Sequence, residues 1–335
     1  MNLKKKILLS FISIVCIAVL LAACGTAENT TSEKPLTEKP GIQIATLKGP
    51  TGMGMVQLID QQEQGTGAFE YDFELFNSPD ALVGKIINGE VDIAAVPTNL
   101  ALILYNRTEG EVQLAAVNTL GVLYLLENGE SIQSLTDLIG KNLSISGKGA
   151  TPDFITRYLL EYKGLTPERD VMLDYKLEHA DLAAALVAGD VESAILPQPH
   201  VTTAMARNNQ LRIALDINEL WEQATGGLRL PMGSIIVQKS YATEHPELVA
   251  KFLEEYKQSV DFVNSEHDKA AALIEKHDIL PNAVIAKAAI PNSNIVFIDA
   301  LEARNDLEAY YQVLLEYEPR SIGGSLPDEG FYFNK

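Results

Sequence analysis

Leu82–Ala101 reads LVGKIINGEVDIAAVPTNLA, and 100 residues further on Leu182–Val201 reads LAAALVAGDVESAILPQPHV. Leu82/Leu182, Gly89/Gly189, Val91/Val191, Ala94/Ala194 and Pro97/Pro197 are identical, and Glu90/Asp190 and Asp92/Glu192 keep their charge. Both stretches spell the same local unit. An apolar helical pattern ends at a glycine able to take the left-handed conformation that closes a helix. A short apolar strand follows, over Val91–Val96 and Val191–Leu196, and a proline that cannot continue a ladder stops it. One αβ unit used twice predicts two similar lobes. In each copy small or polar residues come directly after the strand, where open α/β sheets hold ligands.

The chain before these lobes has a different character. Lys4, Lys5 and Lys6 precede an apolar run of 16 residues, Ile7–Ala22, followed by Leu21-Ala22-Ala23-Cys24 at its end. A basic segment, an apolar segment and a small-residue site have the order of a secretory signal. The run is shorter than the about 20 residues that a spanning helix needs. A cysteine directly after Leu-Ala-Ala resembles a bacterial lipobox. That resemblance implies that residues 1–23 form a lipoprotein signal peptide and that Cys24 carries lipid. Gly25–Pro40 (GTAENTTSEKPLTEKP) has almost no apolar residue, so residues 24–40 read as a flexible tether.

With 26 basic and 45 acidic residues the formal net charge is −19, which offers no counter-charge to nucleic acid or an anionic membrane surface. The two cysteines are Cys16, within the signal, and Cys24, so neither a disulfide nor a cysteine metal site is expected.

The ordered chain opens on an alternating strand, Gly41–Leu47, and a glycine-containing turn, Lys48–Gly54, that leads into a helix from about Met55 to Gln64. Glycines between strand and helix permit close approach to something bound at the helix start. Their spacing is not the dinucleotide fingerprint G-x-G-x-x-G. Phe69–Phe76 alternates as a second strand. Gln113–Leu126 is a strand-like run broken at Gly121 and predicts a crossing into the second lobe. There Asn142–Ser146 is followed by Gly147-Lys148-Gly149-Ala150-Thr151-Pro152, with Thr151 as the expected cap of a helix and Asp181 as the cap of the repeat helix. Leu230–Val237 predicts the return crossing. Helices are expected over Leu248–Asn264, His267–Lys276, Asn282–Ala289 and Asp299–Glu316.

This order of elements resembles the nitrate/sulfonate/taurine-type substrate-binding proteins of ABC importers, a group that includes binders of thiamine-pyrimidine precursors. The carriers are Leu21–Cys24, the two repeat segments ending in Pro97 and Pro197, Ser134–Lys141 before Asn142–Ser146, Trp221 to Gly233, His245-Pro246-Glu247, and Ser321–Gly324 with Pro327-Asp328. The resemblance covers nearly the whole chain. It implies a two-lobed α/β periplasmic-binding-protein fold of type II with two crossing segments. Lobe one would be 41–120 with 235–335, and lobe two 121–234. It also implies an extracytoplasmic, lipid-anchored, monomeric receptor that hands a small molecule to permease and ATPase subunits, with no cofactor. A sensor that reports its bound state to a membrane signalling protein would use the same layout.

The candidate ligand contacts are Pro50, Thr51, Gly52 and Met53 on the first turn and Thr98 and Asn99 on the second. Gly149 and Thr151 stand on the third, with Gln198 and His200 on the fourth. Thr51, Thr98 and Thr151 serve equally well as helix caps, and Met53 as core. These turns hold Lys148 and His200 but neither Arg nor carboxylate, which leaves the ligand class open. No catalytic residue is assigned. G-x-S-x-G and H-E-x-x-H are absent, and the histidines at 179, 267 and 277 read as solvated. Fold relatives that make a thiamine pyrimidine use a Cys-rich motif, which this chain lacks.

Overall fold

The computed structural model describes residues 41–67 and 69–334; the signal, Cys24 and the tether lie outside the described residues. Strands β1 (Gly41–Leu47), β2 (Glu70–Phe76), β3 (Ile93–Pro97) and β4 (Val112–Thr119) come first. The chain then makes β5 (Leu123–Asn128), β6 (Asn142–Ile145), β7 (Met172–Asp174), β8 (Ser193–Pro197) and β9 (Leu211–Asp216), and later β10 (Gly233–Gln238) and β11 (Ile295–Asp299). Two sheets result, one in the order β11-β4-β10-β3-β1-β2 and one in the order β7-β6-β8-β5-β9. This is a two-lobed α/β architecture.

The sheets repeat one pattern. In the first, β2, β1 and β3 run parallel, and β10 pairs antiparallel with β3. In the second, β7, β6 and β8 run parallel, and β5 pairs antiparallel with β8. β5 and β10 are the first strands the chain makes after each crossing, so each crossing delivers a strand against the repeat strand of the sheet it enters. The repeat helices are Asp80–Ile87 and His179–Ala188, and Gly89 and Gly189 follow them at φ 69° and 84°, as the sequence predicts.

The helices that frame the cleft are α1 (Pro50–Met53), α2 (Val56–Glu63), α3 (Asp80–Ile87), α4 (Thr98–Arg107), α5 (Thr151–Tyr162), α6 (His179–Ala188), α7 (His200–Arg207) and α8 (Ile217–Thr225). Several boundaries differ from expectation. Thr151 is not the cap of α5 but its first residue, after Ala150. Asp181 sits inside the first turn of α6. Ile295–Asp299 is a strand, and the following helix begins at Arg304 rather than Asp299. The five apolar-rich residues of β11 find an edge partner in β4, a tertiary opportunity that local periodicity does not encode.

One continuous apolar core includes Leu47, Val96 and Leu114 of the first sheet with Leu125, Leu143 and Ile195 of the second. The helix Arg304–Tyr317 joins the two sides, burying Leu307, Tyr310, Tyr311 and Leu314. Tyr310 Oη lies 2.9 Å from Thr151 Oγ1, at the start of α5. The next residue, Tyr311, donates its hydroxyl to Thr98 O at 2.9 Å, at the start of α4. Tyr317 stacks on Phe154 with ring centroids 6.1 Å apart. Arg229, in the return crossing, donates from its backbone N–H and its Nε to the Asp306 carboxylate at 2.9 and 2.8 Å.

The two glycine caps make the repeat testable. Nothing lies within 4 Å of a Cβ built at Gly89 or Gly189, so only the left-handed backbone opposes a side chain there. Gly89→Ala and Gly189→Ala should each cost about 1–2 kcal/mol, read from urea unfolding midpoints. A near-zero cost at either position would contradict the equivalence of the two units.

Candidate functional site

The carboxyl ends of the two sheets' repeat strands open onto one cavity of about 460 Å³. Lobe one contributes Leu47–Thr51, Pro79, Pro97, Asn99 and Thr119. The second lobe contributes Val122, Leu123, Ala150–Pro152, His179 and Pro197–His200, while Met232 and Gly233 come from the return crossing.

Six of the ten candidate contacts stand on this wall: Pro50, Thr51, Asn99, Thr151, Gln198 and His200. Asn99 and Gln198, which follow the two repeat prolines, share it. The other four lie elsewhere. Met53 is fully buried in the core of lobe one. A Cβ on Gly52 would meet Leu47 O at 2.5 Å, so that glycine serves close packing of α1 on β1. Thr98 is fully buried, with its Oγ1 2.9 Å from Ser234 Oγ. Gly149 is exposed, and its N–H donates to Asp153 Oδ2 at 2.9 Å. Lys148 also lies on the surface, its ammonium 5.4 Å from the centre of the Tyr175 ring. Trp221 is buried away from the wall and donates its indole N–H to Arg229 O at 3.2 Å.

Sequence reasoning missed several wall residues. His179 was expected to be solvated, yet it is half-buried on the wall, with its ring centroid 5.6 Å from that of His200. Its Nδ1 is hydrogen-bonded to Ser146 Oγ. Ser146 is fully buried, so it orients the imidazole and is not itself exposed to the cavity. Six prolines line the space: 50, 79, 97, 152, 197 and 199. The sequence singles out Pro50 as a contact and the repeat pair, Pro97 and Pro197, as strand stops, but not the proline lining as a whole.

Lys48 Nζ is 2.5 Å from Asp278 Oδ2, so the cation on the wall is ion-paired. Among the described residues no carboxylate lines the cavity. Gln198 is 3 % exposed; its Oε1 accepts from Thr202 N at 3.3 Å and Thr202 Oγ1 at 2.8 Å, and its Nε2 has no acceptor.

Away from the cavity, Asp60, Glu63 and His277 bring donor atoms within 4.8 Å of one another. Lys276 Nζ already lies 2.6 Å from Asp60 Oδ1 and 2.5 Å from Glu63 Oε2. The group is an ion-pair network, and His277, expected to be solvated, is 11 % exposed within it.

Burial holds both cavity imidazoles toward the neutral form. His179 is pushed below its ordinary value by desolvation, and His200 by desolvation and then by the nearby His179. The unfolded chain therefore takes up protons below about pH 6.5 that the folded chain resists. Stability is full above that pH and falls as pH drops toward the lowered folded values. In urea unfolding between pH 7 and pH 5, the wild type should lose more stability than His179→Gln/His200→Gln. Equal losses would show that neither histidine is linked to folding.

A family model described as menaquinone biosynthesis matches residues 55–318. The chain belongs to this family. No curated protein matches the sequence. Among solved structures, the fold is similar to an ABC transporter protein from Parabacteroides distasonis, at 25% identity and TM-score 0.73 over 88% of this chain and 99% of that one. It is also similar to the periplasmic aliphatic sulphonate binding protein of Escherichia coli, at 16% identity and TM-score 0.69, covering 88% and 92%. A ligand-binding component of an ABC-type import system from Staphylococcus aureus, with zinc bound, is similar at 11% identity and TM-score 0.64, covering 88% and 97%. The fold is thus that of ABC-transporter solute-binding proteins, while the sequence family is named for a biosynthetic route.

Proposed function

We propose that this member of the family is a solute-binding receptor that captures a small molecule between its lobes and passes it to the permease and ATPase of an ABC importer. The observation that carries the reading is the cavity itself, which takes its wall from both lobes and from the return crossing. A ligand there touches both lobes at once, so its binding free energy favours whichever arrangement closes them. Cys24 anchors the receptor by lipid on the extracytoplasmic side, and the tether lets it reach the membrane partner as a monomer.

Native mass spectrometry of the chain purified without denaturation tests this. One stoichiometric small-molecule adduct, lost on unfolding and recovered chemically unchanged, is the expected result. Recovery of a converted product would overturn it. Fractionation tests the anchor: Cys24→Ala should move the protein from the membrane fraction to the soluble one. Unchanged membrane association would remove the lipid from the account.

A second reading has one observation in its favour besides the family's description. Ser146 holds His179 by its Nδ1, and in the tautomer that donates Nδ1–H to Ser146 Oγ the other ring nitrogen, Nε2, is a proton acceptor on a residue of the cavity wall. In that reading the protein transforms its ligand. His179→Gln would then abolish conversion while leaving the adduct in place, whereas a receptor would show no conversion to lose.

A further inference from the structure

His179 and His200 come from different helices and meet on one wall of the cavity. Each is the first residue of its helix, His179 of α6 and His200 of α7, and both helices belong to lobe two. The pair is thus built within one lobe and needs no residue of the other. The ring centres lie 5.6 Å apart, with 33° between the planes. Imidazoles that share one metal ion, each nitrogen about 2.0–2.1 Å from it, have ring centres roughly 5 Å apart. A small side-chain rotation closes the difference.

Three of the four ring nitrogens are uncommitted. Ser146 Oγ holds His179 Nδ1, and among the described residues no other hydrogen bond engages either ring. None of the remaining three nitrogens is a buried atom without a partner, so each is open to solvent, on residues that both line the cavity. A hydroxyl on one nitrogen of a histidine steadies the ring and fixes its tautomer, as partners behind metal-binding histidines do. Burial also holds both rings toward the neutral form, which has a lone pair to give.

The surroundings decide what such a metal must bring with it. Two imidazoles fill only two coordination positions, and among the described residues no carboxylate lines the cavity to add a third or to balance a dication. Lys48 shares the wall, and both histidines stand at the positive ends of helices. A bare dication therefore finds no counter-charge here. An ion already wrapped by anionic oxygens carries its own charge balance and its remaining ligands.

We propose that His179 and His200 bind the metal of an anionic transition-metal chelate, with the solute supplying the other donor atoms. Nickel, zinc, copper and iron are the ions that imidazole suits, and a cavity of about 460 Å³ has room for a small polycarboxylate around one of them. The inference rests on the cavity being a ligand site, as argued above, and names the class of solute it takes.

Two anionic nickel chelates test it. Nickel nitrilotriacetate leaves two adjacent coordination positions open, and nickel ethylenediaminetetraacetate leaves none. In calorimetric titration of the untagged, natively purified chain, the first should bind at one equivalent and more tightly than nickel ion alone, and the second should not bind. The visible absorption of the nickel should move to shorter wavelength as imidazole nitrogens replace two waters. His179→Gln and His200→Gln should each abolish binding, while Ser146→Ala, which only loosens the ring, should weaken it about tenfold. Circular dichroism checks that the variants are folded, and the comparison of the two chelates needs no variant. Equal binding of both chelates overturns the proposal, as does binding of nickel nitrilotriacetate that survives both histidine substitutions. Tighter binding of the bare ion, or no binding of nickel nitrilotriacetate, also overturns it. If native mass spectrometry instead recovers an unchanged adduct that holds no metal, the receptor reading survives while this one falls.

Discussion

Two adjacent tyrosine hydroxyls hold the cleft together. Tyr310 bonds to Thr151 at the head of α5, in lobe two, and Tyr311 bonds to the carbonyl of Thr98 at the head of α4, in lobe one. Both rings are fully buried, on a helix whose sequence position is near the end of the chain. A buried phenol needs a partner, and each of these finds it at the first residue of a helix that borders the cavity. The helix Arg304–Tyr317 therefore sets where two walls of the cavity stand. Its Asp306 does the same for the return crossing through Arg229. Apolar packing supplies most of the stabilisation at this junction, and the hydroxyls supply its register.

The second organising feature is β10. It enters lobe one antiparallel between β3 and β4, so the first sheet is complete only after the chain has returned from lobe two. Its first residue, Gly233, is opposite Pro97 and beside Thr119. A Cβ there would meet Asn118 Oδ1 at 2.5 Å and Thr119 Cβ at 3.0 Å, so glycine is required for the close approach. That approach brings the crossing, the end of the repeat strand and the end of β4 to the floor of one cavity. A distant packing requirement thereby becomes the shape of a binding surface.

The lobes and the cleft were legible because their signals are local. A repeated helix, left-handed glycine, short strand and proline can be read from one window of sequence and then recognised in another. The wall residues that were missed depend on distance in sequence. His179 sits among charged and small residues and looks solvated; only the neighbouring Ser146 and His200, brought in by the fold, show it to be half-buried. Thr151 has the chemistry of a cap, but its hydroxyl is used by Tyr310, 159 residues away. Thr98 likewise turns inward to Ser234 because β10 arrives beside it. Ile295–Asp299 became a strand because β4 had a free edge, which no window around it could reveal.

The prolines on the wall also bear on how the cleft meets what enters it. Each is locked in φ and has no rotatable side chain to be stilled, and the repeat pair is further pinned at the ends of strands. A surface built this way has little disorder to surrender when it is covered, so the entropic toll of contact is small. It also has little capacity to remould itself around a different shape. Such a cleft discriminates as a rigid template does, by rejecting outlines that do not match, and its tolerance for chemical variants of its ligand should be narrow even where no hydrogen bond is at stake.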